Sequence, residues 1–198
     1  LYASGANTQI ISYSGNKYRI FGETLDIGIG NFIDSFARHC GIGFPGGPRI
    51  AELAKKGRYL ELPHSIKGMD VSFSGLLTHL KQKYDKGETI EDLASSLQET
   101  AFAMVVEAAE RAMAHLDKKE LLLGGGVACN SRLQEMSKIM CSERNAEFFC
   151  PKNEFLADNA GMIAYLGLKM FELGCSINAE KANINANERT DEVVVRWR

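Results

Sequence analysis

The sequence predicts an α/β fold in which helices pack against a sheet, and two observations support this prediction. Short apolar or alternating segments, which are typical of strands, are interspersed with longer segments whose apolar residues recur every three or four positions. In addition, residues 121–130 (LLLGGGVACN) pass from three leucines into three glycines, and a helical pattern begins at Arg132. A fully apolar run that ends in glycine is typical of a buried strand in a parallel sheet.

The first predicted element is a β-hairpin. Residues 9–13 and 17–22 alternate in polarity, and the turn residues Ser14, Gly15 and Asn16 separate them. Residues 4–8, just before the hairpin, are small and polar. Their hydroxyls and unhindered backbone N–H groups suit a phosphate, although a turn without a ligand uses the same residue types.

A helix is predicted over residues 27–40. Its apolar residues share one helical face: Ile29, Phe32, Ile33, Phe36 and Ala37. Asp34 and Arg38 stand four positions apart, which suits a surface ion pair. The functional alternative for Asp34 is an acceptor for ribose hydroxyls.

A loop dense in glycine and proline follows at residues 41–48 (GIGFPGGP). Two glycines after a proline indicate backbone shaped for a turn or for close approach to a ligand. Pro48 fits the first turn of a predicted helix over residues 49–56. Residues 60–63 are predicted as a short strand.

The central part of the chain is predicted to be helical. Residues 67–75 (KGMDVSFSG) combine a lysine, an aspartate, two serines and two glycines, and lead into a helix over residues 76–84. Residues 89–116 show one long apolar stripe at helical spacing, and Thr89 is a plausible N-cap.

The glycine-rich stretch at residues 121–130 has two interpretations. It is either a strand, a nucleotide-contacting turn and a helix that offers its first N–H groups to an anion, or a tight connection without a ligand. A strand is predicted at residues 146–150 and a helix at residues 155–173, with Asp158 and Asn159 in its first turn. A carboxylate there is favoured by the helix dipole alone, but it also suits a metal ligand.

Composition limits the class of protein. The chain has 198 residues, 45% hydrophobic and 24% charged, with a net charge of −2. These values are typical of a globular protein and give no overall basic field for nucleic acid. The five cysteines contain no CxxC pair, which suggests reduced thiols in the cytoplasm rather than a disulfide or zinc framework. No apolar run approaches the roughly 18 residues of a membrane span. The chain starts at Leu1 rather than Met, so further sequence is expected before it.

Seven strings along the chain together resemble one family. They are YASGANTQ, FGETLD, GNFIDSFAR, FPGGP, KGMDVSFSGLL, LLLGGGVACN and LADNAGMIAY, and they stand in the family's order. They are similar to the C-terminal portion of TsaD proteins, in the archaeal form of the family. In archaea and eukaryotes the counterpart of TsaD is the catalytic subunit of the KEOPS complex. Older descriptions of this family used the name O-sialoglycoprotein endopeptidase.

The resemblance implies a fold and an activity. The fold would be the actin-like, sugar-kinase-like ATPase fold, with nucleotide between two ribonuclease-H-like lobes. Residues 1–173 would form the second lobe, with a helical insertion at roughly 42–90, and residues 174–198 a tail or linker; the first lobe would be absent. The activity would be transfer of threonylcarbamoyl from threonylcarbamoyl-adenylate to N6 of adenosine 37 in tRNAs that read ANN codons. The alternative is a non-catalytic nucleotide-binding lobe or scaffold.

Site residues also follow from the resemblance. The loop beside the substrate phosphate would comprise Tyr2, Ala3, Ser4, Gly5 and Ala6. Asp34 would bind ribose hydroxyls, Gly47 would back the nucleotide, and Asn130 would contact its base or ribose. Ala51 stands where archaeal relatives often carry an acidic residue, and the adjacent Glu52 is expected to face another way.

One divalent metal, iron or zinc, is also implied, with Asp158 as a ligand and Tyr2 as a further ligand. The family's HxxxH pair is not found among the histidines, which are His39, His64, His79 and His115. Those ligands are expected from the first lobe, since a catalytic metal uses about three protein ligands. The implied partners are tRNA and KEOPS-type proteins, including a small kinase that some archaeal relatives carry fused at the C-terminus. No membrane partner is expected.

Overall fold

The computed structural model describes residues 1–197. Its strands are β1 (Tyr2–Ala3), β2 (Thr8–Ser14), β3 (Lys17–Glu23), β4 (Ile66–Lys67), β5 (Asp70–Val71), β6 (Glu120–Leu122) and β7 (Glu147–Phe149). Its α-helices are α1 (Ile29–His39), α2 (Gly46–Ala54), α3 (Ser74–Asp85), α4 (Ile90–His115), α5 (Ser131–Glu143), α6 (Asn153–Leu156) and α7 (Ala160–Glu172). Short 3₁₀ turns lie at Gly126–Cys129, Ala179–Lys181 and Thr190–Glu192.

Hydrogen bonds join strands into a mixed sheet in the order β3-β2-β1-β6-β7. β1, β2 and β3 pair antiparallel, whereas β6 and β7 pair parallel. The two parts meet where the Ala3 N–H donates to the Gly124 carbonyl at 2.8 Å and the Gly124 N–H donates to the Leu1 carbonyl at 2.9 Å. β4 and β5 form a separate ribbon, attached where the Leu25 N–H donates to the Val71 carbonyl. The predicted α/β class is therefore confirmed, with an antiparallel and a parallel half.

The predicted hairpin is confirmed, and its turn has a specific geometry. Gly15 and Asn16 both have positive φ, +61° and +60°. Positive φ at both central residues is the hairpin turn whose twist matches the flanking strands, and glycine and asparagine tolerate it best.

The core lies where the helices meet around α4. α2, α3 and α5 pack against α4, whose fully buried residues include Leu93, Leu97, Ala101 and Phe102. Phe32 of α1 stacks on Phe73 with ring centroids 5.2 Å apart. The predicted N-cap of α4 is confirmed, because the Thr89 hydroxyl accepts from the Asp92 N–H at 3.3 Å.

Three predicted elements differ from the structure. Residues 60–63 are not a strand: the Leu60 N–H donates to the Ser96 hydroxyl at 2.7 Å and Leu62 is buried. The helix predicted at 49–56 begins earlier, at Gly46. The helix predicted at 155–173 is two helices, α6 and α7.

The break between α6 and α7 changes the position of Asp158. Asn159 is extended, with φ −146°, and its side-chain oxygen accepts from the Met162 N–H at 3.0 Å, so it is the N-cap of α7. Asp158 therefore lies before α7 and not in its first turn. α7 has no buried residue, and its exposed apolar side chains include Met162, Ile163, Tyr165, Leu166 and Phe171. Across residues 1–197, no helix is both long and apolar enough to span a bilayer.

Residues after α7 return to the hairpin. The Val195 N–H donates to the Asn16 carbonyl at 3.0 Å, and Lys17 and Val194 form an antiparallel bridge. Val195 is buried. The end of the predicted tail thus forms one antiparallel bridge against the hairpin turn.

Candidate functional site

A single open cleft of about 1180 Å³ collects most of the predicted site residues. Its walls come from the end of β1, from α2 and from the start of α5, and α4 contributes Ser95, Gln98 and Glu99. Seven of the nine predicted residues line it: Tyr2, Ser4, Gly5, Asp34, Gly47, Asn130 and Asp158. Ala51 and Glu52 line it as well, so Glu52 does not face away as expected.

Ala3 and Ala6 are the two predicted residues that do not line the cleft. Ala3 is fully buried, and its N–H is already bonded to Gly124. Successive side chains of a strand point to opposite faces, so Tyr2 reaches the cleft and Ala3 the core. Ala6 is exposed at the tip of the turn that follows.

The turn after β1 is held by its own backbone and by α1. The Ser4 N–H donates to the Asn7 carbonyl at 2.9 Å, and the Ser4 hydroxyl accepts from the Asn7 N–H at 3.2 Å. The Ser4 and Gly5 carbonyls accept the N–H groups of Gly30 and Asn31 at 3.0 and 2.9 Å. These bonds take up donors at the start of α1. The N–H of Gly5 itself has no acceptor among residues 1–197, so it is available to an anion in the cleft.

Two glycines allow this turn to lie against α1. A Cβ on Gly30 would stand 2.7 Å from the Gly5 Cα and 2.9 Å from the Ser4 carbonyl oxygen. A Cβ on Gly28 would meet the Gly5 and Ala6 carbonyl groups. Only residues without a side chain fit at these two positions while the turn keeps its place.

Asp34 links α1 to the first residue of α2. Its Oδ1 accepts from the Gly46 N–H at 2.8 Å, which explains why α2 begins at Gly46. The surface ion pair with Arg38 does not form in the described chain. Oδ2 of Asp34 has no partner among residues 1–197 and lies at the cleft, where it can accept from hydroxyl groups.

Asn130 lies on the opposite wall, and its side chain is largely engaged. Its Oδ1 accepts from the Arg132 and Leu133 N–H groups at 2.9 and 3.4 Å, which caps α5. Its Nδ2 donates to Oε1 of Gln98, which is buried, at 2.6 Å. The Arg132 and Leu133 N–H groups are therefore not free for an anion, whereas Ser131, the first residue of α5, lines the cleft. One Nδ2 hydrogen of Asn130 remains for a ligand.

The cleft is also lined by a compact charge cluster that was not predicted from the sequence. Arg132 donates to both oxygens of Glu99 at 2.7 Å and to Glu135 at 2.7 Å. Hydrogen bonds to Glu99 and then Glu135 raise the pKa of Arg132, so it stays charged. Two carboxylates face one guanidinium, and this cluster does not supply a free cation for phosphate. Glu135 lies three positions from Arg132 on α5, but Glu99 lies 33 positions away on α4, so no local pattern could reveal the cluster as a whole.

Cys129 lines the cleft but is not an activated nucleophile. Burial raises the pKa of its thiol. Burial, with a contribution from Cys129, also raises the pKa of the Cys150 thiol. Both thiols are protonated at neutral pH, and the thiol form is a weak nucleophile and metal ligand.

The donors near Asp158 do not by themselves form a metal centre. Asp158 is exposed and Tyr2 is half-buried. In the part of the chain that the structure describes, no group of three or more His, Cys, Asp or Glu residues could hold a metal ion. One carboxylate and one phenol fall short of the three protein ligands that catalytic sites use.

Comparison with known proteins decides the family. The sequence model of the TsaD family, described as tRNA N6-adenosine threonylcarbamoyltransferase, matches residues 1–165. The chain belongs to the TsaD family. The resemblance inferred from the seven strings is thereby confirmed.

Relatives within the TsaD family come from several archaea. The proteins named tRNA N6-adenosine threonylcarbamoyltransferase from Thermococcus kodakarensis and Archaeoglobus fulgidus are 56% and 54% identical over the whole of this chain. The chain spans 61% of the length of each. A "probable bifunctional tRNA threonylcarbamoyladenosine biosynthesis protein" from Methanocaldococcus jannaschii is 53% identical, and the chain covers 37% of it.

Solved structures with a similar fold are remote in sequence. The crystal structure of T. kodakarensis HypF aligns with a TM-score of 0.59 at 21% identity, over 74% of this TsaD-family chain and 20% of the HypF chain. A nucleotide- and phosphate-bound HypF structure aligns with a TM-score of 0.50 at 17% identity. These similarities establish a shared mixed α/β fold and nothing about activity.

Proposed function

We propose that this chain corresponds to the C-terminal portion of a threonylcarbamoyltransferase. The whole enzyme transfers the threonylcarbamoyl group from threonylcarbamoyl-adenylate to N6 of adenosine 37 in tRNAs that read ANN codons. The observation that carries the proposal is the single cleft lined by Ser4, Gly5, Asp34, Gly47 and Asn130. These residues come from distant parts of the sequence, and each has a chemistry that suits one part of an adenylate.

Each wall of the cleft contacts a different part of the adenylate. The free Gly5 N–H donates to the phosphate, and the free Oδ2 of Asp34 accepts from the ribose hydroxyls. The Ser4 hydroxyl donates to the Asn7 carbonyl at 3.0 Å and so holds the turn beside the phosphate. The nucleotide lies against Gly47, where a Cβ would have no heavy atom within 4 Å. Asn130 donates its remaining amide hydrogen to the base or ribose.

The transfer is chemically balanced with these groups. The amine N6 attacks the carbonyl carbon of the mixed carbamoyl-phosphate anhydride, the bond from that carbon to the phosphate oxygen breaks, and AMP leaves with the electron pair. The proton from N6 passes to solvent. Backbone donors at the turn stabilise the charge on the departing phosphate, and Asp34 holds the ribose so that the phosphate leaves in a fixed direction.

The fold within the family is proposed to be the second ribonuclease-H-like lobe of an actin-like ATPase fold. The order β3-β2-β1-β6-β7, with three antiparallel strands continued by two parallel ones, supports it. The lobe would occupy residues 1–173, with α2, the β4–β5 ribbon and α3 in the insertion at roughly 42–90. Residues 174–198 would be its tail.

Cofactor and partners remain part of the proposal. Asp158, with Tyr2, would add ligands to one iron or zinc ion whose histidines lie outside this chain. The partners would be tRNA and KEOPS-type proteins. The existence of longer bifunctional relatives, such as that of M. jannaschii, supports a fused small kinase as one of them.

A complementation experiment tests the activity. The chain is co-expressed or fused with the N-terminal part of the T. kodakarensis relative, and threonylcarbamoyladenosine is measured in tRNA after addition of threonylcarbamoyl-adenylate. We expect product with the native sequence and at least ten-fold less with Asp34→Ala. Absence of product from a folded, AMP-binding complex would overturn the transferase assignment.

The second candidate is a non-catalytic nucleotide-binding lobe or scaffold. The observation that favours it is the lack of a three-donor metal cluster among residues 1–197. Calorimetric titration of the chain with AMP, together with the complementation result, distinguishes the transferase from the non-catalytic lobe. AMP binding without any gain of activity on complementation would support the scaffold.

A further inference from the structure

A second hollow, the ridge groove, adjoins the cleft. It has a volume of about 900 Å³ and is formed by the loop before α2, by α2 itself and by Ile90. Phe44, Pro45, Pro48 and Glu52 line both hollows. These shared residues therefore form a ridge between the cleft and the ridge groove, and a molecule in the groove lies beside whatever the cleft holds.

Phe44 on this ridge is unusually open to solvent for a phenylalanine. It is 83% exposed. A ligand that covers this ring removes apolar surface from water, which favours binding. The loop is anchored on its C-terminal side, where the Gly46 N–H donates to Asp34. An exposed aromatic face is the feature on which single-stranded nucleic acids stack their bases.

The charges of the ridge groove favour an anionic occupant. Arg49 and Lys56 line it from α2. Neither side chain forms an ion pair or hydrogen bond with another group in residues 1–197. The carboxylate of the groove, Glu52, forms its ion pair with Lys55 at 2.7 Å and interacts only through space with Lys56. Two cations beside one aromatic ring match a phosphodiester backbone beside an unstacked base.

We propose that the ridge groove binds single-stranded RNA, with one base stacked on Phe44 and backbone phosphates at Arg49 and Lys56. This inference rests on the proposed transfer to a tRNA loop and identifies where that loop is held. A base stacked on the ridge lies at the edge of the cleft, which is the position an acceptor base needs if the acyl donor occupies the cleft. The cleft then holds the donor and the groove holds the acceptor.

Fluorescence anisotropy with a labelled anticodon stem-loop RNA tests this assignment on the chain. We expect Phe44→Ala to weaken RNA binding about ten-fold, as loss of one stacked base does, whereas Phe44→Tyr keeps the ring and binds as the native chain does. Phe171→Ala is the matched control, because Phe171 is 68% exposed on α7, away from both hollows. An equal loss from Phe44→Ala and Phe171→Ala would overturn the stacking role.

Salt dependence tests the phosphate contacts. Replacing Arg49 and Lys56 together by glutamine should lower the slope of log K against log salt by about 1.4, because each single-strand phosphate contact contributes about 0.7. Lys138→Gln is the control, since Lys138 is exposed on α5 outside the groove. An unchanged slope in the double variant, or binding of a protein partner in place of RNA, would overturn the assignment.

Failure of this inference is distinguishable from failure of the proposed function. The Arg49→Gln, Lys56→Gln variant should bind AMP like the native chain, because neither residue lines the cleft. Asp34→Asn, which keeps an oxygen for the Gly46 N–H, should weaken AMP binding and keep RNA binding. RNA binding without AMP binding would contradict the cleft assignment and uphold the groove, and the reverse result would contradict the groove alone.

Discussion

Oδ1 of Asp34 accepts from the Gly46 N–H at 2.8 Å, so one carboxylate both starts α2 and leaves a free oxygen at the cleft. The two roles belong to different atoms of the same side chain. Structural and ligand-binding effects of substitutions at Asp34 are therefore separable.

The first prediction compares two substitutions of Asp34. Asp34→Ala removes the acceptor for Gly46 and should lower the free energy of unfolding by about 0.5–2 kcal/mol, as loss of a helix cap does. Asp34→Asn keeps an oxygen for Gly46 but removes the charge, so stability should hold while AMP binding weakens about ten-fold. Urea denaturation and calorimetry measure the two effects. Native-like AMP affinity in Asp34→Asn would contradict the ribose contact.

The second prediction concerns adjacent glycines of α2. A Cβ on Gly46 would collide with Cβ of the buried Ala37, so Gly46→Ala should destabilise the chain by about 1–3 kcal/mol. A Cβ on Gly47 would meet nothing within 4 Å. Gly47→Ala should therefore leave stability equal or raise it by about 0.4–1 kcal/mol, while the methyl group in the cleft weakens AMP binding several-fold. Thermal melts with matched AMP titrations check both variants.

The third prediction concerns acid stability. Burial tends to raise the pKa of Asp26, but N–H donors from Phe73, Ser74 and Ile27 outweigh it and hold the pKa below its usual range. The charged form is thus favoured in the folded state. Its contribution is present above about pH 4 and is lost as the pH falls through the lowered pKa.

Asp26→Asn should show this in urea denaturation. The difference in unfolding free energy between the native chain and Asp26→Asn should be largest near pH 7 and shrink between about pH 5 and pH 2. Asp117→Asn is the control, since Asp117 is an exposed carboxylate paired with Lys119 and such pairs contribute little. A difference that grows in acid would contradict the assignment.

The fourth prediction contrasts a core residue with an exposed one. Phe32 is fully buried and stacked on Phe73, so Phe32→Ala should cost about 3–5 kcal/mol. Ile163 on α7 is 68% exposed, and Ile163→Ala should change stability by less than about 0.5 kcal/mol. Denaturant titrations of both variants test whether α7 is as unpacked as the structure describes. A large loss in Ile163→Ala would show that it packs in solution.

Local patterns in the sequence were sufficient for elements whose signals are local. The hairpin follows from alternation around Gly15 and Asn16, and α4 follows from its apolar stripe and the hydroxyl of Thr89. The motif resemblance brought together residues of the cleft that spacing alone could not connect. The strand expected at residues 60–63 is absent, and the Leu60 N–H donates to the Ser96 hydroxyl of α4 instead of to another strand.

Hydrogen bonds between side chains that are distant in the sequence could not be predicted from local sequence patterns. Asp34 and Gly46 are 12 positions apart, so the visible candidate for Asp34 was the nearer Arg38. Gln98 and Asn130 are 32 positions apart on different elements. The break before α7 was missed because Asn159 fits a helical pattern as well as a cap, and only its extended backbone distinguishes the two.

The close packing of Gly28 and Gly30 beneath the turn after β1 has a consequence for genetic variation. A methyl group on Gly30 would push against Ser4 and Gly5, and one on Gly28 would push against Gly5 and Ala6. The position of the turn that we propose for phosphate binding is thus set from behind by two residues without side chains. Alleles that add bulk there should bind AMP less well because the turn is displaced, whether or not the added atom contacts the ligand.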